Sequence, residues 1–197
     1  QNWRVISGFA VGWKSSMGWT DRLFGKKKEG VELDPLADLV LEKLKVGYLV
    51  DYELQTWQVT AYYRYKFSEN GDVEEWELTA AGQQCYLERA EGAWSISRRI
   101  SIGTIEGDLR RYILDHEDPP ARIVFDGTEY YLDGSYNGHM LSDEKGPGKP
   151  LIRWEFLDEG ENKFVGVEQW SETEFTAAVG SIVEDYQFNH ILPGVLE

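Results

Sequence analysis

At 197 residues with 42% apolar side chains, the chain can bury a full core, which excludes bulk disorder and a disulfide-dependent miniprotein. Its net charge of −15 and pI near 4.6 repel nucleic-acid phosphates, so no nucleic-acid partner is expected. Cys85 is the single cysteine, so no intrachain disulfide can form and a cytoplasmic address is the default.

The positive charge is concentrated at the start, where residues 1–30 hold six Lys or Arg against two acids. Met17 reads as a natural start, with residues 1–16 as upstream or added sequence. Trp19, Leu23 and Phe24 share one side of a short helix ahead of Lys26, Lys27 and Lys28, the makeup of a weak anchor on anionic lipid. The plain alternative is a frayed leader whose lysines only solvate it. No run of apolar residues reaches the length needed to span a bilayer as a helix.

Asp34 as N-cap and Pro35 at the first helical position open a predicted N-terminal helix. Leu36, Leu39, Val40 and Leu44 follow at helical spacing up to Gly47. From Tyr48 the period changes to two. Trp57, Val59, Ala61, Tyr63, Tyr65 and Phe67 alternate with polar residues, which predicts a strand with one buried face. Turn signals at Asn70-Gly71, Gly82 and Glu91-Gly92 separate further strands carrying Trp76 and Leu78, Cys85 and Leu87, and Trp94 and Ile96.

Residues 104–120 break the rhythm, with Leu109, Tyr112 and Ile113 at helical spacing before Pro119-Pro120, and read as a connector. Strand signals resume at Arg122–Phe125, turn at Asp126-Gly127, and continue through Tyr130 to Leu132. Residues 151–157, 163–169 and 174–179 read as three more strands, and a tail from Phe188 to Gly194 is expected to dock by its apolar residues. The domain organisation is therefore a leader (1–30), a helix with the first β half (31–103), the connector (104–120) and a second β half with its tail (121–197).

An offset of 78 residues places Trp76-Glu77-Leu78 on Trp154-Glu155-Phe156, Tyr52 on Tyr130 and Leu54 on Leu132, as an internal repeat would. Twisted sheets reuse Trp, Tyr and Gly at such places in any case, so repetition and coincidence both fit.

Three constellations bear on chemistry. Asp133, Ser135, Asn137, Gly138 and Glu144 have the spacing of a calcium loop, but they lack flanking helices, and a plain Asn-Gly turn explains them better. Glu75 and Glu77 project on the polar side of one strand and Glu155 occupies the position matching Glu77, so a carboxylate pair would suit a glycosidase-type acid and base, although a solvated strand face accounts for the same residues. His116, His139 and His190 lack metal-ligand spacing, Cys85 lacks a histidine partner, and no phosphate-cradling loop or serine elbow is present. No metal, cofactor or catalytic residue is expected.

Several ordered motifs carry a resemblance. They are Leu44-Lys45-Val46-Gly47 before Trp57-Gln58-Val59, Glu75-Trp76-Glu77-Leu78, Tyr86-Leu87-Glu88, and Gly92-Ala93-Trp94. In the second half they are Asp126 through Leu132, Arg153-Trp154-Glu155-Phe156, Glu174-Phe175 and Gly180. In this order, over residues 44–194, the chain resembles the bacterial domain-of-unknown-function family 4178. The resemblance implies no known enzyme activity and no transferable site residues. It also implies genes neighbouring small membrane proteins and membrane-stress factors.

The expected fold is mainly β, with two packed, antiparallel, pseudo-repeated halves forming a sandwich or a barrel-like body, and one N-terminal helix. The expected role is a non-catalytic accessory or adaptor protein, cytoplasmic or peripheral to the inner membrane, working with a membrane-associated protein partner and touching anionic lipid weakly. A small-ligand or carbohydrate-binding β module is the alternative, and a hydrolase using Glu77 and Glu155 the third reading. A binding module would expose at least two of Trp57, Trp76, Trp94, Trp154 and Trp170 in one concave site, whereas an adaptor would bury them. The sequence carries no signal for oligomeric state.

Overall fold

The computed structural model describes residues 39–68, 71–142 and 148–194. Period-two patterning resolves there into eleven strands: β1 (Leu49–Tyr52), β2 (Gln55–Phe67), β3 (Gly71–Ala80), β4 (Gln83–Ala90), β5 (Ala93–Ile100), β6 (Arg122–Phe125), β7 (Thr128–Leu141), β8 (Lys149–Leu157), β9 (Lys163–Gln169), β10 (Phe175–Val183) and β11 (Asn189–Leu192). One α-helix among the described residues, α1 (Leu109–His116), lies between β5 and β6.

All strand pairs are antiparallel and belong to one sheet, ordered β11-β1-β2-β3-β4-β5-β10-β9-β8-β7-β6, with an additional pairing of β2 to β7. That pairing closes β2, β3, β4, β5, β10, β9, β8 and β7 into an eight-stranded ring and settles the fold as barrel-like rather than a sandwich. The closure uses only the C-terminal halves, Arg64–Phe67 of β2 against Gly138–Leu141 of β7. Their N-terminal halves diverge, β2 to pair with β1 and β7 to pair with β6. At the seam the backbones approach closely, and a Cβ on Gly138 would come within 2.6 Å of the Phe67 ring.

Burial on both faces of the ring strands follows from this closure. Trp76, Leu78, Leu87 and Trp94 point outward into a core covered by Leu41, Leu44, Val50 of β1, and Phe188. Trp154, Phe156, Val165 and Val167 point outward into a second core, covered by Ile105, Leu109 and Ile113 of the α1 region and Ile123 of β6. A third cluster of Tyr65, Phe67, Val73 and Leu151 comes from the alternate positions of the ring strands.

Two expectations change here. The long strand does not keep one buried face: a register shift between Val59 and Ala61 sends Trp57 and Val59 to the first outer core and Tyr65 and Phe67 to the third cluster. In the stretch expected to be the N-terminal helix, residues 34–38 lie outside the described residues, and the remainder holds one 3₁₀ turn, Leu41–Lys43. A helix fails to propagate there because the Leu44 carbonyl accepts the Trp76 indole N–H at 3.1 Å, while the Tyr48 N–H turns back to Lys45. The helical spacing of Leu109 and Ile113 in the connector does form α1, capped by Asp108.

Candidate functional site

The inward positions of the ring strands include Glu75 on β3, Glu88 on β4, Arg99 on β5, Arg153 and Glu155 on β8, and Glu168 on β9. All of them border one small void of about 30 Å³. Contacts between strands that are not neighbours in the ring prove that the void is interior: Arg153 Nη1 donates to Glu88 Oε2 at 2.8 Å, from β8 to β4.

Arg153 is the hub. Its Nε and Nη2 donate to Glu168 Oε1 at 3.2 and 2.9 Å, and its plane lies 4.6 Å from the Tyr65 ring and 5.3 Å from the Phe67 ring. Glu168 Oε2 accepts from Arg99 Nη1 at 3.2 Å and from Thr176 Oγ1 at 2.8 Å. Glu75 accepts from the Tyr65 hydroxyl at 3.1 Å. Glu155 stands apart, with Arg153 Nη1 at 3.7 Å, beyond hydrogen-bonding distance.

Electrostatics set Glu168 apart from Glu75 and Glu155. Burial opposes ionisation of Glu168, but Arg153 and Arg99 outweigh it and hold its pKa below the usual range. Burial, reinforced by the charges of Glu88 and Glu168, pushes Glu75 up to about 7. Burial likewise raises Glu155 to about 7, with Arg153 opposing and Glu88 adding to the rise. Desolvation disfavours the Arg153 cation, yet the surrounding carboxylates raise its pKa further, so the guanidinium stays charged. Four carboxylates therefore meet two guanidiniums, and protonation of Glu75 and Glu155 relieves the excess negative charge.

The sequence-predicted positions distribute differently. Of the Glu77 and Glu155 pair, only Glu155 joins the cluster, and Glu77 instead accepts the Thr60 hydroxyl at 2.7 Å. Asp133 to Leu141 form continuous strand in β7 rather than a calcium loop or an Asn-Gly turn, because Gly138 is needed at the β2 seam; Glu144 lies outside the described residues. Trp57, Trp76, Trp94 and Trp154 are all buried, and half-buried Trp170 donates its indole N–H to Thr176 at 3.0 Å. Cys85 is buried, and its thiol is pushed up to about 12 by desolvation, then by Glu53. Trp19, Leu23, Phe24, Lys26, Lys27 and Lys28 lie outside the described residues. Among the described residues no helix is long and apolar enough to cross a membrane.

Sequence reasoning assigned Glu75 to a solvated strand face, whereas it is buried, and missed Glu88, Arg99, Arg153 and Glu168. The signal was present as single charges between large apolar residues, as in Leu151-Ile152-Arg153-Trp154 and Val165-Gly166-Val167-Glu168, but alternation alone cannot distinguish a polar interior from solvent.

Comparison with known proteins adds a family. The model described as Domain of unknown function (DUF4178) matches residues 45–185. The chain belongs to this family. A DUF4178-matched region of that extent includes the whole inner cluster, from Tyr65 to Thr176. The chain is also similar to an uncharacterized protein of Aquifex aeolicus (strain VF5), 28% identical over 180 residues, which cover 90% of this chain and 99% of the relative. No solved structure matches.

Proposed function

We propose that the protein is a non-catalytic accessory protein that engages a basic protein partner through its acidic exterior. The observation that carries this reading is how little of the net charge the interior takes up. Arg99 and Arg153 face Glu75, Glu88, Glu155 and Glu168 there, two cations against four carboxylates and so a formal −2 out of the chain's −15, which leaves nearly all of the excess negative charge outside the cluster. Four buried tryptophans support the same reading, since Trp57, Trp76 and Trp94 pack in one core and Trp154 in another. The partner is membrane-associated in this proposal, and residues 17–28 add weak contact with anionic lipid.

Pull-down from detergent-solubilised membranes of a native host tests the partner. The proposal expects a co-purifying basic protein whose retention falls steeply with ionic strength; retention insensitive to salt, or no specific partner, counts against it. Co-sedimentation with anionic vesicles tests the lipid contact, which is expected to vanish on deleting residues 17–28. Unchanged pelleting removes that part of the proposal.

The alternative of a small-ligand module draws support from one cavity at an end of the ring, whose chemistry is developed next.

A further inference from the structure

An eight-stranded ring encloses a space just wide enough for side chains to fill, or for one small ligand. Here the filling is incomplete at one end. A cavity of about 220 Å³ opens there, walled by Phe67, Val73, Leu157, Phe164 and Ile182, with Glu88, Arg153 and Glu155 also lining it. Glu88, Arg153 and Glu155 border the smaller inner void as well, so the cavity reaches the charged cluster directly.

The polar groups at its base are not equally satisfied. Glu168 receives four hydrogen bonds, from Arg153 twice, Arg99 and Thr176. Glu88 receives one from Arg153, and Glu75 one from Tyr65. Glu155 receives none among the described residues, its nearest cation being Arg153 at 3.7 Å, and 32% of its side chain remains accessible. A carboxylate on the wall of an apolar-sided cavity, short of both donors and positive charge, is complementary to a donor-bearing cation.

We propose that this end of the barrel binds a small organic amine in its ammonium form, with the charged head between Glu155 and Glu88 and the apolar body against Phe67, Val73, Leu157 and Phe164. Two features select this class. The cavity lies below the range of roughly 300–1,000 Å³ usual for drug-sized ligands, so a ligand the size of a single ring fits. The apolar walls suit a hydrocarbon body and not a hydrated metal ion, which needs several oxygen donors; the described residues offer no group of three or more His, Cys, Asp or Glu placed to hold one. Proton release from Glu155 accompanies binding, because an ammonium beside it favours the ionised form; Arg153, Glu88, Asp133 and Glu168 are the other charged groups acting on it. The inference stands apart from the exterior partner, since it concerns only the inside of the ring.

Benzylamine is the probe, titrated into the full chain by calorimetry and two-dimensional NMR above the titration range of Glu155, with benzyl alcohol as the neutral match. Saturable benzylamine binding is expected, with shift changes centred on Phe67, Leu157 and Phe164. At least a ten-fold loss is expected in Glu155→Gln, and at least ten-fold weaker binding of benzyl alcohol. A second variant, Val73→Phe, fills the cavity without touching the charges and is expected to abolish binding while its melting curve stays cooperative. Absence of saturation, equal binding by benzyl alcohol, or undiminished affinity in Glu155→Gln overturns the proposal.

Discussion

Arg153 of β8 and Glu168 of β9 meet inside the ring with two guanidinium nitrogens on one carboxylate oxygen, at 3.2 and 2.9 Å. The side chains are only 7% and 6% accessible, and the second Glu168 oxygen is taken by Arg99 and Thr176. Such a pair stabilises little relative to a well-packed apolar substitute, but breaking it leaves an uncompensated buried charge.

Replacing Arg153 with Met is therefore expected to cost roughly 3–5 kcal/mol, because Glu88 loses its donor and Glu168 loses both bonds to Oε1, keeping only Arg99 and Thr176 on Oε2. Replacing Arg153 and Glu168 together, by Met and Leu, is expected to cost clearly less than the sum of the two single changes. Urea unfolding of the four proteins measures this. Additive losses would show that the two side chains do not act as a unit.

The pH dependence of stability carries the mark of Glu75. Its folded pKa near 7 lies above the ordinary 4.5, so between these values the unfolded chain gives up its proton first. Stability from this group is complete below about 4.5 and falls as pH rises to about 7, by up to roughly 3 kcal/mol. Glu155 adds a smaller loss in the same window because its side chain is partly accessible. Glu168 works oppositely: its lowered pKa gives stability that is present above the ordinary carboxylate range and lost in stronger acid. Glu75→Gln keeps an acceptor for Tyr65 and is expected to flatten the decline and to gain on the order of 1–2 kcal/mol on its alkaline side. Unfolding curves across the window check this, and an unchanged slope in the variant contradicts it.

The β1–β2 turn is built from Glu53 and Leu54 at φ of 48° and 63°, a pair of left-handed positions more often filled by Asn-Gly. Leu54 is fully exposed, so it gains nothing from packing to offset that backbone cost. Leu54→Gly is expected to raise stability by about 1 kcal/mol, or roughly 2–4 °C in Tm. A lower Tm would mean that Leu54 makes a stabilising contact in solution.

What could be read beforehand depended on whether the information was local. The Asp126-Gly127 and Glu91-Gly92 turns, the strands between them and the helical spacing of Leu109 and Ile113 are local, and the structure follows them. Closure of β2 onto β7 is not local, since Phe67 meets Gly138 across two-thirds of the sheet order. Without that closure Glu75, Glu88, Arg153 and Glu168 look like the wet side of flat strands. Inside a ring the same alternation assigns them to a dry interior, where they must compensate one another. The bulge at Val59–Ala61 was hidden for a related reason, because it depends on pairing with β3 and not on the β2 sequence.

Carboxyl-carbon NMR titration of the glutamate side chains tests the enclosed charge network most directly. Glu75 is expected to titrate near 7, with Glu168 below the ordinary range of its free side chain. If every glutamate titrates at its ordinary value, the inward faces of the ring strands are open to water and the network described around Arg153 does not exist.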